Sequence, residues 1–285
     1  MGVPWPTVIA DVRILAGEAL RLSEPEDKRD RIATMVAAVE SESWPMAADG
    51  PVNIVPVVEV GRSARITYVA PRDLKRRTWG SPAGRFATLH ALAHIEANAV
   101  NLALDAVHRF AAMPADYYRD WVRIASEELS HFDLLERRLA ASGGAYGDLG
   151  CHDGLWDIAV RTADDVVARM ALVPLVFEAR GLDVTPGLIE RFERHGDAES
   201  ADVLRIVLRD EVGHVAAGAR WFRVTCASRA LDPVPEFERL VEEHSLLLVP
   251  PFNVDARVAA GFDADDLARW STSFAGGRAA PGGSN

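Results

Sequence analysis

Glu128-Leu-Ser-His131 and Glu211-Val-Gly-His214 each set a carboxylate and an imidazole three residues apart. On an α-helix that spacing puts both groups on one face, about 60° apart around the axis. A lone glutamate precedes each motif: Glu96 before the first and Glu178 before the second. The order Glu, Glu-x-x-His, Glu, Glu-x-x-His is the ligand set of a two-metal carboxylate site inside a four-helix bundle. Two iron ions held in this way, or an iron and a manganese, give access to dioxygen and redox chemistry that no ordinary side chain performs.

The neighbours of each glutamate indicate whether it points inward. Positions −7, −4, −3, +3, +4 and +7 from Glu96 are Leu89, Leu92, Ala93, Ala99, Val100 and Ala103. Around Glu128 they are Trp121, Ile124, Ala125, His131, Phe132 and Leu135, and around Glu211 they are Leu204, Val207, Leu208, His214, Val215 and Gly218. Around Glu178 the stripe is Ala171, Pro174, Leu175, Gly181 and Leu182 before the pattern ends. A buried carboxylate without compensation costs several kcal/mol or takes up a proton. Four in one core call for a common compensation, which bound cations supply. Taken singly, a Glu-x-x-His is usually a solvated pair, and a glutamate on an apolar stripe is more often a satisfied core acid. The agreement of stripes, motifs and order favours metal.

These ligands need four helices, which the periodicity puts at about 82–110, 115–142, 160–181 and 197–228. Ser81-Pro82 is a start signal, Pro114 breaks the first hairpin, and Gly143-Gly144 ends the second helix. The pattern repeats: Glu96 to Glu128 is 32 residues, Glu178 to Glu211 is 33, and 50 residues separate Glu128 from Glu178. Two hairpins joined by a long crossover give the expected fold class, an all-α ferritin-like four-helix bundle. Residues 1–78 read as N-terminal helices, the first capped by Thr7, with an extended arm over Trp44–Pro71. The bundle takes 79–248, with a short helix starting at Thr185-Pro186 and another over Pro233–His244, and 249–285 is a C-terminal segment. Ala275–Asn285, rich in Gly, Ala and Ser, is expected to be disordered.

The chain resembles the DUF455 group of bacterial ferritin-like proteins and, more distantly, the di-iron tRNA hydroxylase MiaE. The resemblance spans roughly residues 71 to 253. It is carried by Gly80-Ser-Pro-Ala-Gly-Arg85, His90-Ala-Leu-Ala-His-Ile-Glu96, Glu127-Glu-Leu-Ser-His131, Ala145-Tyr-Gly-Asp148, His152-Asp-Gly-Leu-Trp156, Leu172-Val-Pro174, Glu178-Ala-Arg-Gly-Leu-Asp-Val-Thr-Pro186, Arg209-Asp-Glu-Val-Gly-His-Val215 and Pro250-Pro-Phe-Asn253. It implies a ferritin-like fold and a two-metal centre, with Glu128 and Glu211 bridging the ions and Glu96 and Glu178 terminal. It implies no particular reaction.

Other residues carry two readings. Glu127 and Asp210, each four before a motif histidine, are candidates to orient that imidazole, or acids facing solvent. His90 and His94 are four apart and could chelate zinc. His94, however, lies about 160° around the helix from Glu96, which favours a hydrogen-bonded role for the pair. Trp121 and Phe132 read as core rather than as radical carriers, and Tyr117 and Tyr118 are ambiguous. Pro174, one turn before Glu178, should kink its helix.

Composition narrows the function classes. The 285 residues carry a formal net charge of −11, which disfavours nonspecific nucleic-acid binding. The basic run Arg72–Arg77 reads as a solvated linker before it reads as an RNA contact. No membrane span and no signal peptide are expected, and two isolated cysteines, Cys151 and Cys226, suit a reduced cytoplasm. The leading expectation is a di-iron oxidoreductase that uses dioxygen to hydroxylate or oxidise an organic substrate, a small molecule or modified nucleoside. The alternatives are an iron-binding or ferroxidase-type protein without organic substrate, and a bundle whose metals only hold it together. A homodimer is left open.

Overall fold

The computed structural model describes residues 11–41, 57, 59–74 and 77–275. The Thr7 cap, half of the arm and the tail from 276 onward lie outside the described residues. The architecture is all-α, with one isolated parallel bridge between Tyr68 and Cys151. Among the described residues no helix is long and apolar enough to cross a membrane. The chain forms two compact units, residues 1–161 and 162–285.

The first unit is built on the hairpin of α3 (Pro82–Arg109) and α4 (Ala115–Ala141). Ser81 starts α3 by accepting from the Gly84 N–H at 3.0 Å, with Pro82 in the first turn, as the sequence predicts. From Glu96 onward α3 is hidden on almost every face: Glu96 to His108 are all buried. Such a helix must be packed on several sides, and α1 (Val12–Arg21) and α5 (Gly154–Arg161) lie against it besides α4. By contrast, α4 buries one stripe, from Tyr117 through Trp121, Ile124, Glu128 and Phe132 to Leu139, and α2 (Arg29–Glu40) packs on it. Trp121 and Phe132 are core, as expected. Tyr117 and Tyr118 are buried too, donating to the carbonyls of Ala106 and Phe110.

The stretch after α4 is pinned to α3. His90 Nε2 accepts the Gly147 N–H at 2.9 Å and lies 3.4 Å from the Leu149 nitrogen. Gly147 has φ +108°, a conformation that suits glycine. One turn on, His94 Nδ1 meets the Tyr146 hydroxyl at 2.9 Å, and its Nε2 meets the His152 carbonyl at 3.0 Å. The Thr67–Val69 segment pairs with Cys151 through Cys151 N–H to Thr67 O and Val69 N–H to Cys151 O. α5 begins six residues before the helix expected from residue 160 and ends at Arg161.

In the second unit, α6 (Val166–Leu172), a π-helical segment (Val173–Glu178) and α7 (Ala179–Arg194) run on without a break and pack against α8 (Ala198–Ser228). Around them lie α9 (Pro233–Glu243), α10 (Val254–Ala259) and α11 (Ala264–Ala275). Two prolines explain the departures from expectation. Pro174 sits in the π segment, where the Ala179 N–H reaches back five residues to the Pro174 carbonyl. Pro174 has no N–H to offer the Met170 carbonyl, so the regular α ladder is interrupted there, and the wide turn follows it. Pro186 does not start a new helix but lies inside α7. A proline leaves the carbonyl four residues back, that of Leu182, without its helical donor. Asn253 Nδ2 donates to that carbonyl at 3.1 Å instead. The same segment is tied down by Arg257, whose guanidinium pairs with buried Asp183 at 2.7 Å and also donates to the Ala179 carbonyl at 3.2 Å.

Candidate metal centre

In the first unit the hairpin brings Glu96, Glu128 and His131 together. All three are buried. His131 Nδ1 stands 3.3 Å from Glu96 Oε2 and 3.5 Å from Glu128 Oε2. Each residue offers a donor atom, and the three atoms lie within 4.8 Å of one another. The gaps exceed the roughly 2.7–2.9 Å of a good charge-assisted hydrogen bond. They match donors that share one ion: two ligands each about 2.1 Å from a metal are roughly 3–3.5 Å apart.

The electrostatics ask for a cation. Burial, then the charge of neighbouring Glu128, hold the Glu96 carboxyl well above the usual carboxylate range. Burial works to lower the His131 imidazole, but the Glu128 and Glu96 carboxylates outweigh it and push the group up to about 11. The first unit thus contributes two carboxylates and one imidazole to the cluster, and its protons stand where a positive charge is needed. Glu96 Oε2 is buried with no hydrogen-bond partner among the described residues. Acceptor oxygens and one imidazole nitrogen, dry and facing one another, form a donor set able to hold a metal ion.

The second unit repeats the motif half of this arrangement. His214 Nδ1 lies 3.6 Å from Glu211 Oε2, and both residues are buried on α8. Glu178 ends the π segment that packs on α8, with its Oε2 buried and the side chain as a whole half-buried.

Glu127 accepts from Arg123 at 2.8 Å, and Asp210 pairs with Arg209 at 2.8 Å. His90 and His94 have their ring nitrogens engaged by the crossover, so the pair clips a loop to α3. Burial lowers the His90 imidazole to about 4, as suits a ring nitrogen that accepts a backbone N–H. Of the basic run, Arg72–Leu74 is exposed, and residues 75 and 76 lie outside the described residues. Sequence reasoning missed Tyr146, whose hydroxyl reaches His94 and whose ring packs on Phe132 at 5.1 Å. Its place in the Ala145-Tyr-Gly-Asp148 string was the only signal.

A family model described as protein of unknown function DUF455 matches residues 21–268. The chain belongs to the DUF455 family. A relative, an uncharacterized protein of Haemophilus influenzae, is 37% identical over 265 residues, covering 87% of this chain and 90% of its own length. No solved structure matches. The family carries no assigned reaction, so the donor set itself is the guide to chemistry.

Proposed function

We propose that this DUF455 member is a di-iron carboxylate oxidoreductase with a ferritin-like bundle, in which Glu96, Glu128, His131, Glu178, Glu211 and His214 hold two metal ions. The observation that carries the reading is the buried cluster of Glu96, Glu128 and His131, with its excess of carboxylate and its donor-to-donor gaps of 3.3 and 3.5 Å. The Glu211–His214 pair repeats its motif half. Bound iron would supply the redox chemistry that activates dioxygen for hydroxylation or oxidation of an organic substrate. The chain's part is to hold the ions in a dry place and leave positions open: six side chains do not fill two coordination shells. Iron, or iron with manganese, suits the mixed carboxylate and imidazole set. The partners of this reading are dioxygen and a small-molecule or modified-nucleoside substrate, in the cytoplasm.

Metal analysis of purified protein tests the premise, with Glu128→Ala and His214→Ala beside it. The expected result is about two iron or manganese ions per chain in the wild type and a loss in each variant. Wild-type metal content in both variants would end the assignment. Anaerobic loading with ferrous iron followed by measured oxygen uptake then separates the functions. Uptake that continues with a reductant present and that hydroxylates or oxidises a separate organic substrate supports the oxidoreductase. Uptake that stops once the iron is oxidised supports iron handling instead.

A further inference from the structure

We infer that Gly218 is a positioning residue for the metal ligand Glu178, acting through the ring of Pro174. This rests on the metal reading above and names how one ligand is aimed.

Gly218 lies seven residues beyond Glu211, on the same buried stripe. A glycine inside a long helix costs about 1 kcal/mol relative to alanine, so its presence calls for a close approach. The approach is there: a Cβ on Gly218 would overlap Cβ and Cγ of Pro174 and would stand 3.6 Å from its Cα. The missing side chain is filled by the proline ring. Pro174 in turn belongs to the π segment that ends at Glu178, and its carbonyl accepts the Ala179 N–H that closes the wide turn. The π turn therefore lies between a proline seated against Gly218 and the carboxylate it presents. Insertion of one residue's width into a helix re-aims every side chain after it, and such turns gather at functional sites.

The far side of Glu178 is held independently. Arg257 reaches the carbonyl of Ala179, the next residue, and pairs with Asp183, while Asn253 takes the Leu182 carbonyl. Glu178 thus sits between a seat at Pro174 and a clamp at Ala179–Asp183. With the clamp fixed, a methyl added at Gly218 must move the π segment, and the nearest functional group that moves with it is the Glu178 carboxylate. The other two ligands of this unit, Glu211 and His214, are on α8 itself and keep their backbone.

The test is a cobalt(II) titration of the metal-free full-length protein, followed by visible absorption and by metal analysis. The variants are Gly218→Ala, Pro174→Ala and the double variant. Wild type should take up two cobalt ions. Gly218→Ala should bind one of them at least tenfold more weakly, the range seen when groups supporting a ligand are changed, with an altered absorption band. Removing the ring in the double variant makes room for the methyl and should restore at least part of the affinity. Rescue is the readout that general loss of packing would not give. If Gly218→Ala does not fold, Pro174→Ala carries the test: loss of the seat should weaken the same ion, and an unchanged titration would overturn the inference. Two ions bound by Gly218→Ala with wild-type affinity and spectrum would overturn it as well, leaving the metal reading intact. A wild type that takes up no cobalt would overturn both.

Discussion

Replacing Glu96 by leucine should make the metal-free protein more stable and the metal-loaded protein less so. In the metal-free cluster, two buried carboxylates face one imidazole, and burial with Glu128's charge already holds the Glu96 carboxyl far above its ordinary range. Glu96→Leu removes one of the unit's two clustered carboxylates and keeps Glu128 beside His131, 3.5 Å apart. Removing a surplus buried carboxylate spares its desolvation, a gain of about 1–3 kcal/mol. At roughly 2–4 °C per kcal/mol for a protein of this class, the melting temperature in chelator should rise by several degrees. Metal reverses the order. Ferrous iron at about one hundred times its dissociation constant adds about 2.7 kcal/mol to a protein that binds it only when folded. Wild type should gain that much anaerobically and the variant much less. The assay is thermal unfolding of both proteins, with chelator and with anaerobic iron, so that the two pairs of curves cross. A variant that melts lower than wild type in chelator, or that gains as much from iron, would refute the account of the cluster as a cation site whose metal-free form is strained by its own charge.

Three further outcomes are expected. His90 has a folded value of about 4 against an ordinary 6.5, so the stability it lends is complete above pH 6.5 and is lost as pH falls towards 4, by at most about 3 kcal/mol. Denaturant titrations at pH 7 and pH 5 should show a smaller drop for His90→Gln than for wild type, and equal drops would contradict the neutral clip. Asn253→Ala should cost about 2–3 kcal/mol, because it strips the donor from Leu182 O and the cap from the Ala256 N–H. The cost should shrink in a Pro186→Ala background, where the helix regains its own N–H; an undiminished cost there would count against this role. Asp183→Ala should cost about 3–5 kcal/mol by leaving buried Arg257 without its carboxylate, and Arg257→Leu in addition should recover much of it by calorimetry. If the second change made matters worse, the pair would be stabilising in its own right.

The parts legible in the sequence were those written in local periodicity. Glu96, Glu128 and His131 could be placed on buried stripes because their neighbours at three, four and seven residues are apolar, and the structure joins them at 3.3 and 3.5 Å. The start of α3 and both ends of α4 followed from Ser81-Pro82, Pro114 and Gly143-Gly144. What escaped was decided by residues far along the chain. Pro186 looked like a helix start because nothing near it satisfies the Leu182 carbonyl; the donor, Asn253, comes 67 residues later. Pro174 predicted a kink, but whether a helix bends or widens depends on what it leans on, here a glycine on another helix. The pairing of His90 and His94 with the crossover was equally invisible, since loop carbonyls and amides leave no trace in residue type.

That last contact has an outcome for how the family can vary. Connections between hairpins are ordinarily where a chain gains or sheds residues at little cost. Here the Tyr146 hydroxyl, the Gly147 N–H and the His152 carbonyl are stitched to the same rod that carries Glu96, two turns of which supply the stitches. Extra length spliced into 146–152 would tug on the carboxylate's own helix, whereas the exposed turn at Gly143, where an added side chain meets nothing within 4 Å, would absorb it. Relatives that differ in size should therefore differ at that turn and keep the stitched stretch constant in length.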